Sequence, residues 1–397
     1  MEGPTPVSAL IHAATMVTAG VFLLIRCSHI IELSDITLIL IVFFGGITAF
    51  FSATVSLFQH DIKKIIAYST CSQLGYMFLS CGFSLYNVAL YHLITHAFFK
   101  ALLFLAAGSI IHSLLDEQNL KKMGSLSRLL PITYAALLIG TAAITGFPFF
   151  SGFYSKDLIL EQVYLTVMEN SFLSYLFLII TAFFTVIYSL QIVYWSFLTK
   201  SNISRQKYLF ITESNNFITF VLFNLSVLSI FAGYCLFDIF GGNASPFLGN
   251  SIYILPSLAE QLKLENIIVN QVKNIPLFFG GFGLLLVFLI YNKFYVFCIF
   301  FKYRCYIFLL FFIKKWHFDL IYNYIGRYVF SASYAEVYQV IDKGFLEYFG
   351  PRGVVNSCFL FSQLLLNSKK LTFFGLLTFL CFNFVVLLVL ISIFFVL

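Results

Sequence analysis

The chain has 397 residues, of which 60% are hydrophobic and only 10% are charged, and its mean hydropathy is +0.95. This composition excludes a soluble globular domain, in which about 25% of residues are charged. It predicts an all-α, polytopic membrane protein whose core is the bilayer-embedded helix bundle itself. The net charge of +6 is modest and dispersed, without a basic patch among aromatic residues, so nucleic acid is not expected as a partner.

The chain contains about nine apolar segments that are long enough to span a bilayer, for which about 20 residues suffice. The fifth is longer than one plain span and is interrupted, so we expect one broken helix. The segments cover residues 4–25, 36–58, 62–82, 86–113, 130–165, 171–198, 216–240, 276–300 and 371–396.

The fourth segment carries three ionisable residues at every fourth position: His92, His96 and Lys100. A step of four residues drifts only about 40° around a helix, so the three side chains form one polar stripe. A charged lysine at the centre of a membrane helix costs on the order of 2.5–3.5 kcal/mol. Three such residues in register therefore favour a proton relay through a polar path, since histidine exchanges protons near neutral pH. The alternative is a lysine that reaches the headgroups beside two histidines that only pack.

The fifth segment is interrupted by Gly146-Phe147-Pro148-Phe149-Phe150-Ser151-Gly152, which Lys156 and Asp157 follow closely. Proline removes a backbone donor and clashes with the preceding helical turn, and glycine loosens the helix further. Broken membrane helices beside charged residues line ion sites in transporters. The pattern predicts such a site here; the alternative is a surface loop with both charges solvated.

Two further ionisable residues lie near other segments. His12 lies about two turns into the first segment, and Lys63 lies at the start of the third. His12 fits either a packing residue or a member of the polar path. Lys63 fits either an interfacial lysine at a helix end or a member of the same path.

Residues 317–370 mix charged side chains with Tyr, Phe, Ile and Val and are too polar to span a membrane. We interpret them as a lateral amphipathic helix at the interface, broken at Gly350-Pro351, with an ordinary interfacial connector as the alternative. The chain then divides into a helix bundle, a region containing a loop, one transmembrane helix and a connector, the lateral helix, and a C-terminal anchor. These regions are 1–240, 241–316, 317–370 and 371–397.

Motifs for soluble catalysis are missing from the sequence. It contains no GxGxxG, P-loop, HExxH or cysteine-rich cluster, and the eight cysteines form no CxxC pair. We therefore expect no redox cofactor, nucleotide or metal bound to this chain. The 52 phenylalanines are a bias typical of AT-rich organellar genomes.

Four stretches, in this order, resemble the antiporter-like subunits of proton-pumping NADH:ubiquinone oxidoreductase, respiratory complex I, above all its distal membrane-arm member. The related multisubunit Na⁺/H⁺ antiporters share them. The stretches are Glu2-Gly3-Pro4-Thr5-Pro6-Val7-Ser8-Ala9-Leu10-Ile11-His12, Asp61-Ile62-Lys63-Lys64-Ile65-Ile66-Ala67-Tyr68-Ser69-Thr70, Thr95-His96-Ala97-Phe98-Phe99-Lys100-Ala101 and Gly152-Phe153-Tyr154-Ser155-Lys156-Asp157.

The resemblance implies inverted repeats of five helices, each with a broken helix, that move protons while ubiquinone is reduced elsewhere in the complex. It implies a multi-pass protein of the mitochondrial inner membrane that belongs to a proton-translocating reductase without performing redox chemistry itself. Lys100 matches the middle connecting lysine, and Lys156 matches the broken-helix lysine near the proton exit. The residues that match the family's polar axis are His12, Lys63, His92, His96, Lys100, Lys156 and Asp157.

The resemblance also implies partners. The lateral helix is expected to bridge neighbouring antiporter-like subunits, and membrane lipids surround the bundle. The family's first repeat, with its membrane glutamate and first broken-helix lysine, lies upstream of the motif with which this sequence begins. We expect a separate polypeptide to carry that repeat, because a polar axis facing lipid would cost several kcal/mol.

Two other functions remain open at this point. One is a subunit of a multisubunit Na⁺/H⁺ antiporter. The other is a structural membrane-arm scaffold whose polar axis no longer conducts. The complete stripe on the fourth segment argues against the scaffold, and the C-terminal brace together with the Phe bias favours complex I over the antiporter.

Overall fold

The computed structural model describes residues 3–165, 171–204, 208–241, 247, 249–253, 270–292, 306–367 and 373–396. Within these ranges the chain is helical, and β-structure is limited to one isolated bridge between Asp61 and Asn119. The chain divides into two compact units, Met1–Trp316 and His317–Leu397. The predicted all-α class is confirmed.

The first unit is a helix bundle. Its main helices in chain order are α1 (Thr5–Arg26), α2 (Asp35–Phe58), α3 (Ile62–Gly82), α4 (Tyr86–Ser113), α5 (Pro131–Thr145), α6 (Ser151–Leu165), α7 (Ser171–Val193), α8 (Asn216–Leu236), α9 (Asn270–Asn292) and α10 (Tyr306–Ile313).

Among the described residues, five helical stretches are long and apolar enough to cross a membrane. Each of them matches a predicted segment to within about one residue, so the protein is a multi-pass membrane protein. The figure of nine spans stays a prediction, because residues 293–300 of the eighth predicted segment lie outside the described ranges. The five stretches are Thr5–Arg26, Asp35–Phe58, Tyr86–Ser113, Phe172–Leu198 and Asn216–Phe240.

Helix α9 begins earlier than the sequence predicts. We expected the eighth segment to start at Pro276, but the helix runs from Asn270 and has Pro276 inside it. A proline inside a helix removes one backbone hydrogen bond and crowds the preceding turn, and here the helix continues through Pro276 without that bond.

Helix α4 occupies the centre of the bundle and packs against α1, α3, α5, α6 and α8. Two thirds of its most apolar window is buried, against one third for α1 and α2. The stripe predicted on this helix is therefore enclosed by protein rather than exposed to lipid.

Helices α2 and α3 approach each other closely through small residues. A Cβ atom added at Gly75 would lie 2.6 Å from the Ala49 backbone nitrogen, and one at Gly45 would lie 2.7 Å from the Leu79 nitrogen. Membrane helices gain little from hydrophobic burial against each other, so such backbone approach supplies much of their association. This tight pair forms one wall behind the stripe.

The helix is broken between α5 and α6, where the sequence predicts it. Gly146 ends α5 in the left-handed conformation with φ +77°, and Phe149 also has a positive φ of 72°. The Phe147 N–H donates to the Ala142 carbonyl at 3.0 Å, and the Gly146 N–H donates to the Ala143 carbonyl at 3.3 Å. This is a Schellman end, and α6 begins three residues after Pro148.

Four π-helical segments interrupt the described helices, and sequence patterning does not reveal them. They widen the backbone to i→i+5 hydrogen bonds, such as the bond from the Met16 N–H to the Ile11 carbonyl. The segments are Ser8–Thr15, Tyr194–Leu198, Phe237–Gly241 and Ser333–Leu346.

The second unit contains α11 (Phe318–Ala332), which continues as a π-helix to Leu346, α12 (Pro351–Asn367) and α13 (Phe373–Val396). The break predicted at Gly350-Pro351 is present. Residues 368–370 of the predicted lateral helix lie outside the described ranges. From Phe318 to Phe349 no described residue is buried, although many of the side chains are large and apolar.

The substitution Gly75→Ala tests the close packing of α2 against α3. The added methyl group overlaps the backbone at Ala49, so we expect a loss of about 1–3 kcal/mol in stability, the usual cost of overpacking. The measurement is the thermal unfolding midpoint of the purified protein complex in detergent.

The matched control is Gly281→Ala. It lies inside α9, and a Cβ there would meet no atom within 4 Å, so the midpoint should stay the same or rise slightly. Equal midpoints for Gly75→Ala and wild type would contradict the proposed role of the small residues.

Candidate functional site

The stripe on α4 is enclosed as its spacing predicts. His92, His96 and Lys100 have no exposed surface, and the ring centroids of the two histidines are 6.2 Å apart. Helices α3 and α6 provide the polar side chains that contact the stripe. The three residues therefore face the bundle interior, and headgroups are out of reach of Lys100.

His92 is held from two sides. Its Nε2 lies 3.2 Å from Gln73 Oε1, and its Nδ1 lies 2.9 Å from Ser155 Oγ. An amide oxygen only accepts, so His92 Nε2 carries the proton in this bond. Ser155 also accepts a hydrogen bond from Thr95 at 2.8 Å. One serine of the broken helix thereby joins α4 to α6.

Lys100 donates to neutral acceptors on α3. Its Nζ lies 2.5 Å from Ser69 Oγ and 3.4 Å from the Ile66 carbonyl. A hydrogen bond to a charged group contributes about 1.5–3 kcal/mol, so two such bonds offset a large part of the cost of a lysine in the membrane interior. Among the described residues Lys100 forms no salt bridge, and neutral acceptors hold it in place.

Lys156 is bound by the helix break itself. In a continuous helix the Ile144 carbonyl would accept from residue 148, but Pro148 has no N–H. That carbonyl instead accepts from Lys156 Nζ at 3.4 Å. Thr185 Oγ1 accepts from the same Nζ at 2.9 Å. The orphaned carbonyls at the end of α5 also carry the negative end of the helix dipole, which favours a cation.

Aromatic and carboxyl groups complete this end of the site. The Tyr76 ring centroid lies 5.5 Å from Lys156 Nζ, a cation–π distance. The Tyr76 hydroxyl donates to the Leu178 carbonyl at 2.7 Å and accepts from Thr181 at 2.6 Å. Asp157 is 7% exposed. Its Oδ1 lies beside Gly146, at 3.5 Å from the position that a Cβ atom would occupy on that glycine.

Neither His12 nor Lys63 hydrogen-bonds to the stripe. His12 lies in the first π-helical segment, and its buried Nδ1 has no partner among the described protein atoms. Lys63 is 6% exposed and donates to the Gly3 carbonyl at 3.4 Å. The structure thus brings five of the seven predicted residues to the interior site and leaves these two beside α1.

Sequence reasoning missed the acceptors that hold the ionisable groups. Those on α3 and α7 form two further polar stripes, in which neighbouring members are mostly three or four residues apart. Hydroxyl and amide side chains carry little weight in hydropathy, but this spacing on apolar helices could have revealed them. The missed residues are Ser69, Ser72, Gln73 and Tyr76 on α3, Ser155 on α6, and Thr181, Thr185 and Tyr188 on α7.

The buried donor set suits proton chemistry. It consists of imidazole, ammonium, hydroxyl and amide groups with the carboxyl of Asp157, each of which can donate or accept a hydrogen bond. Such an arrangement can hold and pass protons. Among the described residues there is no group of three or more His, Cys, Asp and Glu side chains placed to hold a metal ion.

The chain is similar in sequence to known proteins over nearly its full length. It is 44% identical over 398 residues to NADH-ubiquinone oxidoreductase chain 5 of Chondrus crispus, which covers 96% of this chain and 59% of the relative. It is 46% identical over 399 residues to chain 5 of Acanthamoeba castellanii, covering 100% of this chain and 58% of that relative. The chain therefore spans somewhat under three fifths of the length of these relatives.

A solved structure shows the same fold. The Mrp complex from Dietzia sp. DQ12-45-1b contains a chain with a TM-score of 0.56 and 24% identity, covering 72% of this chain and 30% of the other. A family model described as "NADH:quinone oxidoreductase/Mrp antiporter, TM" matches residues 1–187, which include the stripe and the broken helix. Over residues 1–187 this multi-pass membrane protein is therefore similar to the NADH:quinone oxidoreductase/Mrp antiporter family.

Proposed function

We propose that the chain is a proton-translocating subunit of the membrane arm of respiratory complex I in the mitochondrial inner membrane. The observation that carries the proposal is the enclosed row His92, His96 and Lys100, with Lys156 at the helix break. The relatives that are 44% and 46% identical are named NADH-ubiquinone oxidoreductase chain 5, which supports this assignment. The redox chemistry is assigned to other subunits.

In the proposed mechanism Lys100 and Lys156 carry the proton at two positions along the membrane plane. Hydroxyl acceptors hold each ammonium group, so a proton leaves without having to break a salt bridge. His92 contacts Gln73 of α3 on one side and Ser155, the neighbour of Lys156 in the chain, on the other. Asp157 adjoins the break and supplies a carboxylate to that end of the path.

The family also includes Na⁺/H⁺ antiporters, and a membrane-arm scaffold would show the same fold. Purification of the native assembly separates complex I from the antiporter. Copurification of flavin and iron–sulfur subunits supports the proposal, and their absence together with Na⁺-dependent exchange contradicts it. Variants of the lysines separate a conducting subunit from a scaffold.

Lys100→Ala tests the relay. We expect the complex to assemble near its normal amount and proton pumping in proteoliposomes to fall about tenfold or more, since a positioned acid–base group contributes roughly 10²–10⁴-fold. Lys100→Arg should not restore pumping fully, because arginine stays protonated. Wild-type pumping by Lys100→Ala would refute the relay and favour the scaffold.

Thr185→Val tests how Lys156 is held. The Thr185 hydroxyl donates to the Ala182 carbonyl at 2.6 Å, so its free lone pair faces Lys156. Loss of that acceptor costs about 1.5–3 kcal/mol, and we expect pumping to slow about tenfold or more. The matched control is Thr141→Val, whose hydroxyl bonds to the Leu138 carbonyl at 2.9 Å. If both variants pump equally well, Thr185 has no such role.

A stop codon after Trp316 tests the second unit. The apolar side chains of α11 and α12, such as Phe330 and Phe359, are exposed, and we propose that neighbouring membrane-arm subunits cover them. We expect a lower amount of assembled membrane arm on native gels, with pumping per assembled complex less affected.

A second truncation after Asn367 serves as the control, because it removes the anchor α13 but keeps the lateral stretch. It should assemble better than the longer deletion. Normal assembly without residues 317–397 would rule out a bridging role for the second unit.

A further inference from the structure

The buried tyrosine Tyr188 of α7 lies at a junction of polar side chains that the predicted path does not include. It is 1% exposed, and its hydroxyl lies 3.4 Å from Ser72 Oγ. On α3, Ser69 lies three residues before Ser72 and Gln73 one residue after it. The hydroxyl therefore faces a stripe of three polar residues that share one face of that helix, with Ser72 within hydrogen-bond distance.

Two of these residues are the direct partners of the ionisable groups. Ser69 accepts from Lys100 Nζ at 2.5 Å, and Gln73 accepts from His92 Nε2 at 3.2 Å. Tyr188 thus adjoins the partner of Lys100 and the partner of His92 at once. On α4 itself, His96 lies between those two groups, but neither of its ring nitrogens has a partner among the described protein atoms.

The Tyr188 hydroxyl can donate only one hydrogen bond, although its oxygen has two lone pairs that accept. Its polar neighbours therefore compete for that one proton. Ser72 already donates to the Ser69 carbonyl at 2.9 Å, which leaves its oxygen free to accept. Gln73 Nε2 is buried and has no hydrogen-bond partner among the described atoms, so it has a proton available to donate. A change at either end therefore alters the best orientation of the Tyr188 hydroxyl.

The protonation state of Lys100 is such a change. Charged Lys100 donates to Ser69, whose own proton goes to the Ile66 carbonyl at 2.8 Å. Neutral Lys100 has a lone pair and can accept that proton from Ser69. The Ser69 hydroxyl then points in a different direction relative to Tyr188. The Tyr188 hydroxyl reorients in response, and its hydrogen bonding to Gln73 changes.

We propose that Tyr188 is a positioning residue whose hydroxyl couples the protonation of Lys100 to the hydrogen bonding of His92 through Ser69 and Gln73. This inference rests on the proposed function and adds α7 to the route. The ring packs in the buried hydrophobic cluster with Ile192 and Val193, so the fold depends on the ring and the coupling depends on the hydroxyl.

The test is Tyr188→Phe in the complete complex, which removes the hydroxyl and keeps the ring. We expect normal assembly, a several-fold lower ratio of protons pumped to NADH oxidised, and a shifted pH profile of pumping. The control is Tyr175→Phe, because the Tyr175 hydroxyl is buried and has no hydrogen-bond partner in the described part of the chain; its ratio and pH profile should match wild type. An unchanged ratio and profile in Tyr188→Phe would overturn the inference.

The double variant Lys100→Ala/Tyr188→Phe distinguishes coupling from independent damage. Residues that act through one network give non-additive effects, so the double variant should pump no worse than Lys100→Ala alone. Additive losses would overturn the coupling. Normal pumping by Lys100→Ala would instead refute the proposed function, whereas a defect in Lys100→Ala with normal Tyr188→Phe refutes only the junction.

Ser69→Ala provides a second route if Tyr188→Phe does not assemble. It removes the link between Lys100 and Tyr188 and should give the same lower pumping ratio. Ser80→Ala is its control on the same helix, since the buried Ser80 hydroxyl bonds to the Met77 carbonyl of its own helix at 2.8 Å. Equal pumping ratios for Ser69→Ala and Ser80→Ala would contradict the junction.

Discussion

Two lysines are buried in a membrane bundle against neutral oxygen acceptors, and the rest of the structure depends on this arrangement. A lysine in the bilayer interior costs several kcal/mol, and a salt bridge would repay that cost only by fixing the charge in place. Ser69 accepts a hydrogen bond from Lys100 at 2.5 Å, and Thr185 accepts one from Lys156 at 2.9 Å. Such bonds offset much of the cost while leaving each lysine able to give up its proton.

The fold supplies these acceptors by simple means. Pro148 leaves the Ile144 carbonyl without its helical donor, and Lys156 takes that place. Gly75 lets α3 press against α2, and the opposite face of α3 turns Ser69 and Gln73 towards α4. Threonine and tyrosine on α7 close the site from the other side. The helix break, the packing of small residues and the stripes of hydroxyl side chains thus together place the acceptors along one buried polar path.

The sequence predicted the ionisable residues better than their surroundings. The spacing of His92, His96 and Lys100 placed them on one face because a helical period is a property of the chain alone, and Pro148 predicted the break for the same reason. The acceptors depend on which helices meet, which a single sequence does not contain. The π-helical segment around His12 depends on packing as well, because it strains the helix locally and is stabilised only by its neighbours.

In the proposed mechanism the buried lysines change protonation during turnover. The most direct measurement is the infrared difference spectrum between the resting and the turning-over complex, with lysine labelled isotopically, for wild type and Lys100→Met. We expect isotope-sensitive ammonium bands in the wild-type difference spectrum that weaken in the variant. Identical difference spectra for the two proteins would contradict a change in the protonation of Lys100.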